Sequence, residues 1–171
     1  ALQDLFDKFI VEVVAPVMYG SREGPQRVVY QAKPSLRVQP VGVAGIRYHT
    51  DREYHHQAGE VNFWLPLTPT SESNSLQLES APGRGDFSPL NLEGAGVVAH
   101  FWGNACRHGT KLDVTGQTRV SMDFRVIRGD LFHDDAPVGR RKDGSQRFRL
   151  GGYYKEVVCV GAEGAGWTWA A

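Results

Sequence analysis

Arg119-Val120-Ser121-Met122-Asp123-Phe124-Arg125-Val126-Ile127 alternates polar and apolar residues. Successive side chains of a strand point to opposite faces, so Arg119, Ser121 and Asp123 share one face while Val120, Met122, Phe124 and Val126 take the other. An Arg and a Ser opposite an apolar face suit a barrel with a polar interior. Residues 61–67 repeat the pattern: Val61, Phe63, Leu65 and Leu67 lie on one side, Asn62 and Trp64 on the other. If the apolar set packs outward, Asn62 and Trp64 point into the barrel. Similar short runs rich in Val, Tyr, Phe and Trp occur at 27–31, 36–41, 43–49, 75–79, 95–102 and 153–160. With 20 Gly and 9 Pro for turns, the pattern predicts a mainly β jelly roll of about eight strands.

Ahead of the strands, Leu2, Leu5, Phe6, Phe9, Ile10, Val13 and Val14 recur at helical spacing. They predict one amphipathic helix ending near Pro16 and covering an outer apolar face of the barrel. Segments 68–74 and 81–89 read as loops, and the charged stretch 128–149 as a solvated loop. The 171 residues fit one domain: a helix over 1–19, a jelly-roll core with the site over 27–128, and a loop, late strand and tail over 129–171.

Nineteen basic and nineteen acidic side chains cancel, which disfavours a nucleic-acid binder that works by phosphate neutralisation. No run approaches the roughly 20 apolar residues that span a bilayer, and no signal peptide is visible. Two cysteines are too few for a disulfide framework. The expectation is a cytoplasmic protein without nucleic-acid or membrane partners.

The chemistry concentrates in three places. His49-Thr50-Asp51 closes a predicted strand, where residues i and i+2 face the same side and an imidazole and a carboxylate can converge. His108 follows the run 95–102. Two His and one carboxylate match the facial triad of non-haem Fe(II) oxygenases, which leaves three positions open for substrate and oxygen. Eleven residues beyond His108 comes Arg119-Val120-Ser121. Alone, that Arg reads as an ion-pair partner. So placed, it reads as an anchor for a dicarboxylate cosubstrate, with Ser121 adding a hydroxyl donor.

His49-x-Asp51, His108 and Arg119-x-Ser121, in that order, resemble the Fe(II)/2-oxoglutarate-dependent dioxygenases of double-stranded β-helix (cupin-like) fold. More narrowly, His49-Thr-Asp51, Gly59-Glu-Val-Asn-Phe-Trp-Leu-Pro-Leu-Thr68, Ser75-Leu-Gln-Leu-Glu79-Ser80 and Asn104-x-x-x-His108-Gly-Thr110 look like the streptomycin-biosynthesis branch of the phytanoyl-CoA-hydroxylase-like oxygenases. The resemblance covers roughly residues 30–128. It implies Fe(II) on His49, Asp51 and His108, with the distal carboxylate of 2-oxoglutarate on Arg119 and Ser121. It also implies O2 and a small-molecule substrate, oxidised with release of succinate and CO2. Related halogenases lack the carboxylate ligand. Asp51 therefore favours hydroxylation, desaturation or ring closure.

Further candidates surround these residues. Asn62 is placed to support the metal segment or the cosubstrate, and Trp64 to pack the core or touch substrate. Tyr30, Arg37 and Gln39 precede the metal segment, within reach of a cosubstrate or an acidic substrate. His55 and His56 belong to a loop at the pocket rim. Cys106 reads as a small buried residue. Two other classes stay open: a cupin-like metal enzyme that does not use 2-oxoglutarate, and a catalytically inactive jelly-roll binding protein.

Overall fold

The computed structural model describes residues 2–20, 26–134, 148–159 and, as backbone only, 168–169. Most of the charged stretch read as a loop, residues 135–147, lies outside the described residues. The chain begins with one continuous helix in three parts: α1 (Leu2–Phe9), a π-helical segment (Ile10–Val14) and α2 (Ala15–Tyr19). Ten strands follow among the described residues: β1 (Gln26–Gln31), β2 (Ser35–Gln39), β3 (Glu60–Pro66), β4 (Leu76–Leu78), β5 (Ser88–Pro89), β6 (Ala99–Phe101), β7 (His108–Thr110), β8 (Arg119–Arg128), β9 (Tyr154–Cys159) and β10 (Thr168–Trp169).

The strands pair antiparallel in two sheets. The larger runs β10-β9-β1-β8-β3-β6, with β2 also pairing β8; the smaller is β5-β4-β7. This is the predicted β-rich jelly roll. The ten-residue β8 forms its spine, because Arg119–Asp123 pair with β2, Val126–Arg128 with β1, and the far edge with β3.

Alternation places the outer core as the sequence implies. Phe6, Ile10, Val14 and Ala15 of the helix bury against Val28, Tyr30, Phe63, Phe124, Val126 and Val157 of the large sheet. Phe124 meets Phe6 edge-on at 5.0 Å and stacks on Phe63 at 5.3 Å. Leu2, Leu5 and Val13, counted with the buried stripe from the sequence, are exposed.

Pro16 does not end the helix. The Ala15 N–H donates to the Ile10 carbonyl, a π-type bond that resets the ladder, so Pro16 falls in the first turn of α2. There its missing N–H has little cost. Gly20, at φ 60°, is the cap that stops the helix, donating its N–H to Pro16 O at 2.7 Å.

Two expected strands are largely missing. Over 43–49 only isolated bridges form, Ala44 to Leu112 and His49 to His108. The Ile46 N–H donates to the Thr110 hydroxyl at 2.7 Å rather than to a backbone carbonyl, which interrupts a regular ladder. The 95–102 run contracts to Ala99–Phe101, because Gly94 and Gly96 bend the approach at positive φ. No helix of the described residues is long and apolar enough to cross a membrane.

Candidate metal centre

His49 and His108 face each other across a hydrogen-bonded antiparallel bridge: His49 N–H donates to His108 O at 3.0 Å, and His108 N–H to His49 O at 2.9 Å. Residues paired in this way project their side chains to one face, and the two rings lie 4.5 Å apart. Asp51 arrives by a different route from the one expected. The chain leaves extended geometry after Thr50, and Asp51 opens a 3-10 turn over Asp51–Tyr54, fastened by a Thr50–Glu53 capping box. The Asp51 N–H donates to Gly103 O at 2.8 Å. A capped turn, not strand alternation, brings the carboxylate beneath the imidazoles.

One ligand atom from each of His49, Asp51 and His108 lies within 4.8 Å of the others. Asp51 Oδ1 stands 3.7 Å from His49 Nε2 and 3.8 Å from His108 Nε2. All three residues are buried. The Nδ1 atoms lie 2.8 Å from Arg47 O and 3.1 Å from Cys106 O. A carbonyl only accepts, so each Nδ1 carries the proton and each Nε2 keeps its lone pair toward the cluster. Burial lowers the pKa of His108 against the opposing pull of the Asp51 charge, which favours the neutral, ligating ring. Burial alone would raise Asp51. The hydrogen bonds and charge of Arg125, with help from His108 and Asn62, bring it well below the usual carboxylate range. The donor set, its tautomers and its ionisation fit a divalent cation.

Two residues hold Asp51. Asn62 Nδ2 donates to Oδ2 at 2.6 Å. Arg125 donates through Nε to Oδ2 at 2.9 Å and through Nη2 to Oδ1 at 2.7 Å. Asn62 thus turns to the metal cluster. Arg125 is the residue that sequence reasoning missed, although it is the next alternate position after Arg119, Ser121 and Asp123.

A cavity of about 370 Å³ runs from this cluster past Arg119, within the size range of small-molecule sites. Arg119 Nη1 donates to Asn74 O at 2.7 Å. Among the described residues, Arg119 Nε and Ser121 Oγ are buried without a hydrogen-bond partner. Burial lowers the Arg119 pKa to about 10, partly countered by Asp123, so the guanidinium stays charged at neutral pH. The Trp64 ring lines the cavity with its centre 5.7 Å from the Arg119 Cζ. Arg37 also lines it but is paired with Asp123 at 2.6 Å.

Ser121, fully buried on the same face of β8 as Arg119, is not among the residues lining the cavity, and three further candidates lie elsewhere. Tyr30 falls on the outer face of β1, packed in the helix-covered core, where its hydroxyl donates to Asp7 Oδ1 at 3.1 Å; the neighbouring Gln31 lines the cavity instead. Gln39 stands behind the wall, donating to Val43 O and Lys111 O. His55 is exposed in the left-handed cap of the 3-10 turn, at φ 66°, and the next residue, His56, turns to the cavity. Cys106 is a buried free thiol.

No family model matches the chain. Over 132 residues it is 33% identical to the streptomycin biosynthesis protein StrG of Streptomyces griseus. That match covers 76% of this chain and 61% of the relative, so the chain spans less than two thirds of that relative's length. Two solved structures of a non-heme monooxygenase, ThoJ, are similar at 15% identity, each match covering 86% of this chain and 66% of the other. The TM-score is 0.50 for the nickel complex and 0.51 for the apo form. The chain shares the antiparallel, cupin-like fold of those non-heme monooxygenases, with the long helix of its described residues ahead of the strands.

Proposed function

We propose that the chain is a non-haem Fe(II)/2-oxoglutarate-dependent dioxygenase that hydroxylates, or otherwise oxidises, a small-molecule metabolite with release of succinate and CO2. The observation that carries this reading is the joining of two features by one fold: the His49, Asp51 and His108 cluster, and the unpartnered Arg119 Nε and Ser121 Oγ on the inward face of β8. A buried cation with an idle donor is costly unless an anion meets it. A dicarboxylate fits that role, and a cosubstrate-free cupin would leave both atoms unexplained. The likeness in fold to a non-heme monooxygenase and in sequence to a streptomycin biosynthesis protein supports an oxidation of a small metabolite.

In this reading His49, Asp51 and His108 hold Fe(II), and Arg119 and Ser121 hold the distal carboxylate of 2-oxoglutarate. Together the two groups supply the oxidation of a substrate C–H bond with O2. The chain's own residues prepare the place. The Arg47 and Cys106 carbonyls fix both imidazole tautomers. Arg125 keeps Asp51 ionised. Trp64, Leu76 and Phe101 wall the cavity, excluding bulk water from the reacting groups. The intact carboxylate favours oxygen insertion or a related oxidation over halide transfer. Succinate formation from 2-oxoglutarate by Fe(II)-loaded protein, screened against metabolite pools and absent in Asp51→Ala, is the expected result. Fe(II) binding without any 2-oxoglutarate binding would assign the site to a cupin-like metal enzyme instead.

A further inference from the structure

We infer that His56, braced by Glu60, is a substrate-binding residue: its Nε2 accepts a hydrogen bond from an uncharged, hydroxyl-bearing substrate whose apolar body lies against Phe148 and Tyr153. This rests on the oxygenase reading above, for which it names the substrate class.

Strand register puts His56 at the end of the cavity away from the cosubstrate anchor. Glu60 pairs with Ile127 and Asn62 with Arg125, while Arg119 pairs with Gln39 at the other end of β8. The two side chains that hold Asp51 therefore stand between Glu60 and Arg119. His56 Nδ1 lies 2.8 Å from Glu60 Oε2, and the His56 ring lines the cavity. With a cosubstrate reaching from the metal cluster to Arg119, the His56 end is the space left for substrate.

The His56 ring has one polar atom to offer there. Glu60 is fully buried, and its Oε1 accepts from the Tyr154 hydroxyl and the Gln57 N–H. A carboxylate only accepts, so His56 Nδ1 carries the proton and Nε2 keeps its lone pair. The imidazole is 6% exposed, and Nε2 has no hydrogen-bond partner among the described residues. Its neighbours are already engaged. The Tyr153 hydroxyl donates to Gln31 Oε1 at 2.8 Å and receives Arg125 Nη1 at 3.3 Å, and Gln31 Nε2 donates to Lys33 O at 2.7 Å.

Charge and shape narrow the partner. Arg125 Nε lies 3.5 Å from Glu60 Oε2 and balances it, as Arg37 balances Asp123. A divalent cation and Arg119 together offset Asp51 and a bound dicarboxylate. No charge is left over to meet a charged substrate, whose unpaired burial would be costly. Phe148 lies against His56 with ring centres 4.1 Å apart, and Tyr153 meets Phe148 edge-on at 4.7 Å. Both line the cavity, so the accepting nitrogen is set in an aromatic wall that suits an apolar face.

The test uses the protein loaded with Zn(II) and 2-oxoglutarate, labelled with 15N-histidine, and two probes: cyclohexanol, which can donate a hydrogen bond, and methoxycyclohexane, which cannot. NMR should show the Nδ1–H tautomer at His56, a shift of its Nε2 resonance with cyclohexanol, and binding of cyclohexanol about threefold or more tighter than the ether. His56→Phe keeps a ring against Phe148 and should erase that preference; the wild-type Nε2 shift decides the matter if this variant does not fold. Cyclohexylammonium should bind more weakly than cyclohexanol, and tighter binding overturns the uncharged class. Failure of cyclohexanol to bind, an unmoved Nε2 resonance, or a preference that survives His56→Phe overturns the inference while the oxygenase reading stands. A protein that takes up no Zn(II) or no 2-oxoglutarate overturns the oxygenase reading and this inference with it.

Discussion

His49 and His108 exchange both of their backbone hydrogen bonds, at 3.0 and 2.9 Å, across a single bridge that belongs to no continuous strand on the His49 side. The angle between two ligands therefore depends on one close backbone approach. Gly109 makes it possible: a Cβ there would stand 2.8 Å from Tyr48 Cα and N.

Gly109→Ala is accordingly expected to push His108 away from His49 and weaken metal binding at least tenfold, with the helix–sheet core intact. Calorimetric titration with Mn(II), alongside a thermal melt, checks this. Unchanged affinity would mean that the bridge does not set the ligand geometry.

Asp51→Ala should abolish metal binding and also destabilise the fold. It leaves the buried Arg125 facing Glu60 alone, and breaking one side of a buried ion pair typically costs about 3–5 kcal/mol. Urea denaturation and metal titration of the same preparation read both effects. A variant that binds metal like wild type would show Asp51 to be structural.

Arg119→Ala should weaken 2-oxoglutarate binding by at least tenfold while leaving metal affinity within about twofold. A charge-assisted contact contributes about 1.5–3 kcal/mol, and about 1.4 kcal/mol is a factor of ten. Ser121→Ala should act in the same direction with a smaller effect. Anaerobic calorimetry with 2-oxoglutarate separates the two sites.

Phe124→Ala tests the helix as a cover for the sheet. Phe124 is almost fully buried and contacts Phe6, Phe9 and Phe63, and removing such a ring costs about 3–5 kcal/mol. The midpoint of urea unfolding should fall accordingly, with metal affinity in the folded state little changed. A loss below about 1 kcal/mol would contradict the packing described.

The fold was legible because β3 and β8 turn an apolar face to the helix and a mostly polar face to the cavity, which imposes a two-residue period. The same period exposed Arg119 and Ser121, and Asn62 and Trp64, as inward residues. It could equally have exposed Arg125, one alternate step further, but its partner Asp51 is distant in sequence, and pairing across that distance has no local signal. Tyr30 and Gln31 show the opposite failure. Both are compatible with a strand, and only the register of β1 against β8 and β9 decides which faces the cavity. His55 and His56 could not be separated either, because a left-handed residue at the end of a 3-10 turn resets the side-chain direction. The His49-x-Asp51 spacing does bring an imidazole and a carboxylate together, but not as neighbours along a strand. A 3-10 turn that opens right after an extended residue can converge two side chains as strand alternation does.

The measurement that bears most directly on the central claim is an anaerobic titration of the Fe(II)-loaded protein with 2-oxoglutarate, followed in the visible. Wild type should develop a weak charge-transfer band that saturates with cosubstrate. It should require a much higher concentration in Arg119→Ala and be absent in Asp51→Ala. Wild-type protein that holds Fe(II) yet develops no band at saturating 2-oxoglutarate would contradict the account.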